Sequence, residues 1–199
     1  MNTDDTNIRL MLAVADDDSS AFETLMTRFQ GRVLSLLRYL VGDRDIAEDL
    51  TQEVFLRVFR ARKTYRPEAK FTTWLFTIAN NVAINQKRSW MRKPETQFYE
   101  QTSDDEQDKN RLTVEMIQAS TGTMPARQLD KLELREMVRC AIDTLNERQR
   151  MAVLLNRFEG LSYAEIAETM SLTPQAVKSL LSRAHMQLRD KLSSYIAAT

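Results

Sequence analysis

The sequence is short of what folds other than helical ones require. Its 199 residues include 4 glycines and 4 prolines, too few turn formers for an all-β chain. One cysteine, Cys140, excludes an internal disulfide framework and any Cys-x-x-Cys metal site. Its apolar sequence neighbours predict a small buried side chain. One histidine, His185, offers no nucleophile–base pair, and no glycine-rich loop is present to cradle a phosphate. An enzyme is therefore a distant reading, and neither a cofactor nor a metal is expected. No apolar run reaches about 18 residues and the N-terminus is acidic, so neither a membrane span nor a signal peptide is expected. The expected location is the cytoplasm.

Net charge is also missing, at zero overall, which at first argues against a nucleic-acid binder. The distribution reverses that inference. Between Arg57 and Lys93 stand ten basic residues, Arg57, Arg60, Arg62, Lys63, Arg66, Lys70, Lys87, Arg88, Arg92 and Lys93, against one acid, Glu68. Between Glu95 and Lys109 six acids face one lysine. Segregated charge points to one surface for phosphates and another for a different partner.

What is plentiful is helix-forming residues, with 43% hydrophobic content to supply cores. Ser20 with Glu23 has the pattern of a capping box opening a helix that carries Phe22, Leu25, Met26, Phe29, Val33, Leu36, Leu37 and Leu40. Gly42 ends it. A second helix is predicted from about Asp45 to Ala61, then a loop over about 63–70 broken by Pro67. A third begins near Thr72 and runs into the basic segment around Arg92. The chain then turns polar and acidic, which predicts a flexible linker. In the second block a helix begins near Gln128, and Thr144 with Glu147 has the capping-box pattern for the next. Gly160 ends that one, Ser162 with Glu165 caps another, and Thr173-Pro174 opens the last. The fold class is all-α: two small helical domains, residues 1–93 and 128–199, joined by an acidic linker over 94–127.

In the last helix Val177, Leu181, Ala184 and Leu188 recur at helical spacing, so that stripe faces the protein. Ile166, Ala167 and Met170 make a matching stripe on the shorter helix before it. Gln175, Lys178, Ser179, Ser182 and Arg183 occupy the remaining face. Arginine can bond bidentately to guanine, glutamine to adenine, and serine to a base or phosphate. Near a helix N-terminus they suit the recognition helix of a helix-turn-helix.

The first block combines its basic residues with Tyr65, Phe71, Trp74, Phe76 and Trp90. Aromatics among cations suit single-stranded nucleic acid, whose bases stack while its backbone follows the charge. Phe71, Trp74 and Phe76 fit a core equally well. Asn80, Asn81 and Asn85 carry amides able to read base edges. The helix ahead of them is opposite in sign: Asp45, Glu48, Asp49 and Glu53 share one face with Gln52 nearby, which repels DNA and suits a basic protein.

Taken together, Asp45-Ile-Ala-Glu-Asp-Leu-Thr-Gln-Glu-Val-Phe-Leu-Arg-Val, Phe71-Thr-Thr-Trp-Leu-Phe-Thr-Ile-Ala-Asn-Asn, Leu145-Asn-Glu-Arg-Gln-Arg, Glu159-Gly-Leu-Ser-Tyr-Ala-Glu-Ile-Ala and Ala176-Val-Lys-Ser-Leu-Leu-Ser-Arg-Ala resemble a bacterial sigma factor. The resemblance is to the extracytoplasmic-function class, which keeps only regions 2 and 4. It implies that Asp45, Glu48, Asp49, Gln52 and Glu53 dock on the β′ clamp of core RNA polymerase. It implies that Tyr65, Phe71, Trp74, Asn81, Asn85, Lys87 and Arg88 melt and hold the −10 element, with Asn81 on an unpaired base and Lys87 and Arg88 on the adjacent backbone. Gln175, Lys178, Ser179, Ser182 and Arg183 are then the −35 contacts, with Tyr163 on a nearby phosphate. The implied partners are core polymerase through its β′ clamp and β flap, promoter DNA and, as for many members of the family, an anti-sigma protein. The linker would thread toward the polymerase channels. The rival reading is a one-component repressor or activator whose first block senses a ligand.

Overall fold

The structure is a computed structural model that describes residues 3–92 and 137–196, with side chains for residues 5–92 and 137–193. Among the described residues every regular element is helical. The chain divides into two compact units, residues 1–98 with 164–173, and residues 99–163 with 174–199. The expected linker and the expected helix start near Gln128 lie outside the described residues.

The first unit opens with a helix the sequence reading did not include, α1 (Thr3–Ala15). Met11 and Val14 are buried on it, and so is Asn7, whose Oδ1 accepts from Arg28 Nη1 at 2.6 Å. Helix α2 (Ser19–Val41) follows. Its cap differs from expectation: Asp18, not Ser20, is the N-cap, and its Oδ1 accepts from the Ser20 and Ala21 amides at 2.9 and 3.1 Å. A carboxylate one residue ahead of the helix satisfies two orphan amides and complements the helix dipole, which neither serine can do. Gly42 ends α2 in the left-handed region at φ 82, as the sequence predicts.

Helix α3 (Arg44–Arg60) is capped by Asp43, whose Oδ1 accepts from the Ile46 amide at 2.9 Å. The expected loop contains a single 3-10 turn, Arg62–Thr64. Helix α4 (Phe71–Arg92) completes the bundle. Leu25, Phe29, Val33 and Leu37 of α2, Val54 and Phe55 of α3, and Phe71, Leu75, Phe76 and Ala79 of α4 are buried as the core of this unit. Burying such side chains contributes about 1.5–3 kcal/mol each before the entropy of ordering them is set against it.

In the second block, helical residues 137–143, which we label α5, lead into α6 (Glu147–Arg157). Its capping box is Asn146 with Gln149, two residues on from the expected Thr144 and Glu147. The Asn146 side chain accepts from the Gln149 amide at 3.0 Å, and the Gln149 side chain accepts in return from the Asn146 amide at 3.2 Å. Thr144 instead turns its hydroxyl back onto the Ala141 carbonyl at 2.7 Å. Cys140, expected to be buried, is exposed, because Ala141 and Ile142 take the inward positions at the end of α5. Helix α7 (Tyr163–Met170) and helix α8 (Pro174–Ile196) begin where the sequence predicts.

Candidate nucleic-acid and polymerase interface

Helix α8 sorts its side chains by face. Val177, Leu181 and Ala184 are fully buried. Gln175, Lys178, Ser179, Ser182 and Arg183 are all exposed on the opposite side. Tyr163, at the start of α7, is 43% exposed. Arg183 is partly pre-set, since its Nε donates to the Ser179 carbonyl one turn back at 3.3 Å.

The corner between α5 and α6 is bonded by one side chain from the middle of α8 and one from α6. Gln187 Nε2 donates to the Thr144 carbonyl at 3.0 Å, and Arg150 Nη2 donates to the Asp143 carbonyl at 2.8 Å. These bonds satisfy carbonyls left open where α5 ends. The Gln187 bond ties α8 to that corner, and the Arg150 bond braces the corner itself. Nothing in the sequence marked Gln187 or Arg150 for this role.

Helix α4 presents a second ordered surface. At 3.6 residues per turn, Trp74, Asn81, Asn85 and Arg88 fall on one stripe, as does Arg92, which the sequence placed in the basic segment without a contact role. Asn81, Asn85, Arg88 and Arg92 are exposed and Trp74 is half-buried. The stripe from Trp74 to Arg88 is about 21 Å long. Lys87 is half-buried and lies off that stripe. Asn80 is buried at 6% exposure, so of the three amides only Asn81 and Asn85 face solvent.

The expected stacking aromatics divide into two kinds. Phe71 is fully buried and Tyr65 is 7% exposed, so neither offers a free ring face. They support Trp74 instead. Tyr65 meets the Trp74 ring at 4.9 Å between centroids, and Phe71 meets it at 6.0 Å while also packing on Phe29 at 5.2 Å. Such pairs contribute about 0.5–1.5 kcal/mol each beyond burial. Phe76 is buried as well, under the Arg32 guanidinium at 5.7 Å. The Tyr65 hydroxyl is enclosed with no hydrogen-bond partner among the described residues, and burial pushes it above its usual 10.0.

On α3 the acidic face is real but not uniformly available. Glu48 accepts from Arg44 Nε at 2.8 Å and Glu53 accepts from Arg57 Nε at 2.7 Å, both i,i+4 pairs at the surface. Asp45, Asp49 and Gln52 are exposed, and among the described residues neither aspartate meets a cation. Leu56, at 49% exposure, extends the same face.

One further cluster joins the turn before α2 to the 3-10 turn. Asp17, at φ 67, accepts from Arg62 Nε at 3.0 Å and from Lys63 Nζ at 2.6 Å. Lys63 first and Arg62 second hold its carboxyl below the usual range.

Both helical blocks match known protein families. Residues 25–93 match the sigma-70 region 2 family and residues 135–188 match sigma-70 region 4. The chain is 31% identical over 191 residues to an ECF RNA polymerase sigma-E factor of Escherichia coli, covering 94% of each chain. It is 31% identical over 187 residues to that of Haemophilus influenzae, covering 94% of this chain and 95% of the relative. Among solved structures it is similar in fold to CnrH in complex with the cytosolic domain of CnrY, at TM-score 0.65 and 19% identity over 95% of this chain and 98% of the other. It is also similar to the sigma factor RpoE in complex with the anti-sigma factor NepR from Bartonella quintana, at TM-score 0.62 and 20% identity over 86% and 96%. Among the described residues no helix is long and apolar enough to cross a membrane. With both sigma regions matched in order, and relatives aligned along almost the whole chain, this protein belongs to the extracytoplasmic-function class of the sigma-70 family, the promoter-directing subunits of bacterial RNA polymerase.

Proposed function

We propose that the two surfaces divide promoter recognition between them. Helix α8 reads the −35 element as intact duplex, through Gln175, Lys178, Ser179, Ser182 and Arg183 in the major groove, with Tyr163 on a phosphate. The α4 stripe captures the −10 strand as it separates. In this reading Trp74 offers the exposed part of its ring for stacking, Asn81 and Asn85 read base edges, and Arg88 holds backbone. Lys87 serves the backbone from the flank. Tyr65 and Phe71 act through Trp74, whose ring they brace. The exposed α3 carboxylates Asp45 and Asp49, with Gln52, dock on the β′ clamp of core polymerase, while Glu48 and Glu53 complete that face. The second block meets the β flap.

The observation that carries this reading is the sorting of α8, where every expected contact residue is exposed opposite a fully buried stripe. A ligand-sensing repressor is disfavoured by family membership. One structural relative is a complex with the cytosolic domain of CnrY and another a complex with the anti-sigma factor NepR, and we extend an anti-sigma partner to this chain. Permanganate footprinting of the holoenzyme on a promoter tests the division of labour. Wild-type chain is expected to expose unpaired thymines at the −10 element. Asn81→Ala is expected to retain −35 protection while losing most of that reactivity; equal reactivity removes Asn81 from the strand pocket.

A further inference from the structure

We propose that Arg62 and Lys63 form a phosphate cradle for single-stranded nucleic acid, kept filled by the chain's own Asp17 carboxylate until a strand displaces it. The inference rests on the strand-capture reading of α4 and adds residues that reading does not use. Arg62 and Lys63 belong to the 3-10 turn that leads directly into Tyr65, and Tyr65 packs on Trp74 at 4.9 Å. A strand stacked at Trp74 would therefore run its backbone close to these two cations.

The geometry is that of an occupied anion site. Asp17 gives one oxygen to Arg62 Nε at 3.0 Å and the other to Lys63 Nζ at 2.6 Å. Both cations engage one carboxylate as they would two oxygens of a phosphodiester. Arg62 is pre-organised whether or not Asp17 is present. Its guanidinium lies 4.0 Å over the Phe59 ring, and its Nη1 donates to the Phe59 carbonyl at 2.9 Å. Phe59 is in turn braced by Phe22 at 5.2 Å. Lys63 is the mobile half, with 53% of its side chain exposed, and Asp17 is 58% exposed. Exposed ion pairs are weak in water and weaken further with salt, so a strand that brings several phosphates can displace this one. The same carboxylate lowers the free chain's attraction for nucleic acid at large.

The test compares two isoelectric variants of the full chain, Asp17→Asn and Asp16→Asn, in binding labelled oligothymidine across a salt series. Asp16 is exposed and, among the described residues, joins no ion pair, so it controls for the loss of one negative charge. Asparagine tolerates the left-handed backbone at position 17 at least as well as aspartate. We expect Asp17→Asn to bind about threefold or more tighter than Asp16→Asn, with a log–log salt slope steeper by about 0.7–1.4, the value for one or two further phosphates. We also expect the difference to vanish when Arg62→Gln and Lys63→Gln are added. Equal binding by the two variants overturns the cradle. So does a fall in melting temperature for Asp17→Asn with no change in binding, which makes Asp17 a strut. If neither wild type nor any variant binds oligothymidine, the strand-capture reading itself fails and the cradle with it.

Discussion

The Tyr65 ring stands edge-on to Trp74, 4.9 Å away between centroids, with its hydroxyl sealed in and, among the described residues, unpartnered. The ring is useful there and the hydroxyl is not. Tyr65→Phe removes a buried donor that no described residue satisfies, so the unfolding free energy is expected to hold or to rise by about 1 kcal/mol in urea denaturation. Tyr65→Ala is expected to cost about 3 kcal/mol or more through the lost ring. Promoter opening should survive the first change and suffer in the second.

The same hydroxyl makes a pH prediction. Its value is raised in the folded chain by burial, so the unfolded chain gives up this proton first as pH rises. Below the ordinary 10.0 both states keep the proton and nothing is lost; from there upward stability falls until the folded group also ionises. Wild-type protein should therefore lose stability above about pH 10 more steeply than Tyr65→Phe. Parallel curves for the two would show that solvent reaches the hydroxyl.

Helix α8 predicts a sequence-specific effect. Arg183→Ala should weaken −35 binding by about 1–3 kcal/mol and relax preference at one base pair, measured by competition among single-substitution duplexes. A uniform loss across all sequences would make Arg183 a phosphate contact.

Polymerase docking should separate the carboxylates by their present partners. Asp49→Lys is expected to weaken holoenzyme assembly about tenfold or more, or about 1.4 kcal/mol. Glu53→Lys should do less, because Arg57 already engages Glu53 at 2.7 Å. Titration of labelled chain into core enzyme checks both. Equal effects would remove the distinction.

These predictions mix what was legible in the sequence with what was not. The stripes of α2 and α8 were readable because a buried face needs apolar residues every three or four positions. Gly42 was readable because a left-handed helix end favours glycine. Helix α1 was not, since Asn7 interrupts its inward face and only the bond to Arg28 explains why an amide sits there. The caps slipped by two residues at Asp18 and Asn146, where several short polar side chains in a row compete for one position. Cys140 was misjudged from apolar neighbours, because the turn of the helix, rather than adjacency, decides which of them is inward. The aromatics near α4 were ambiguous by nature. Stacking platforms and core residues use the same side chains, and only burial separates Phe71 from Trp74.

The central claim is that one chain lends polymerase a duplex reader and a strand trap. The most direct measurement is sequencing of transcripts made by core enzyme with the purified chain on a pool of genomic fragments. The account predicts starts that depend on the chain and share two upstream elements at a constant separation. Starts that appear without the chain, or that share no such pair of elements, would contradict it.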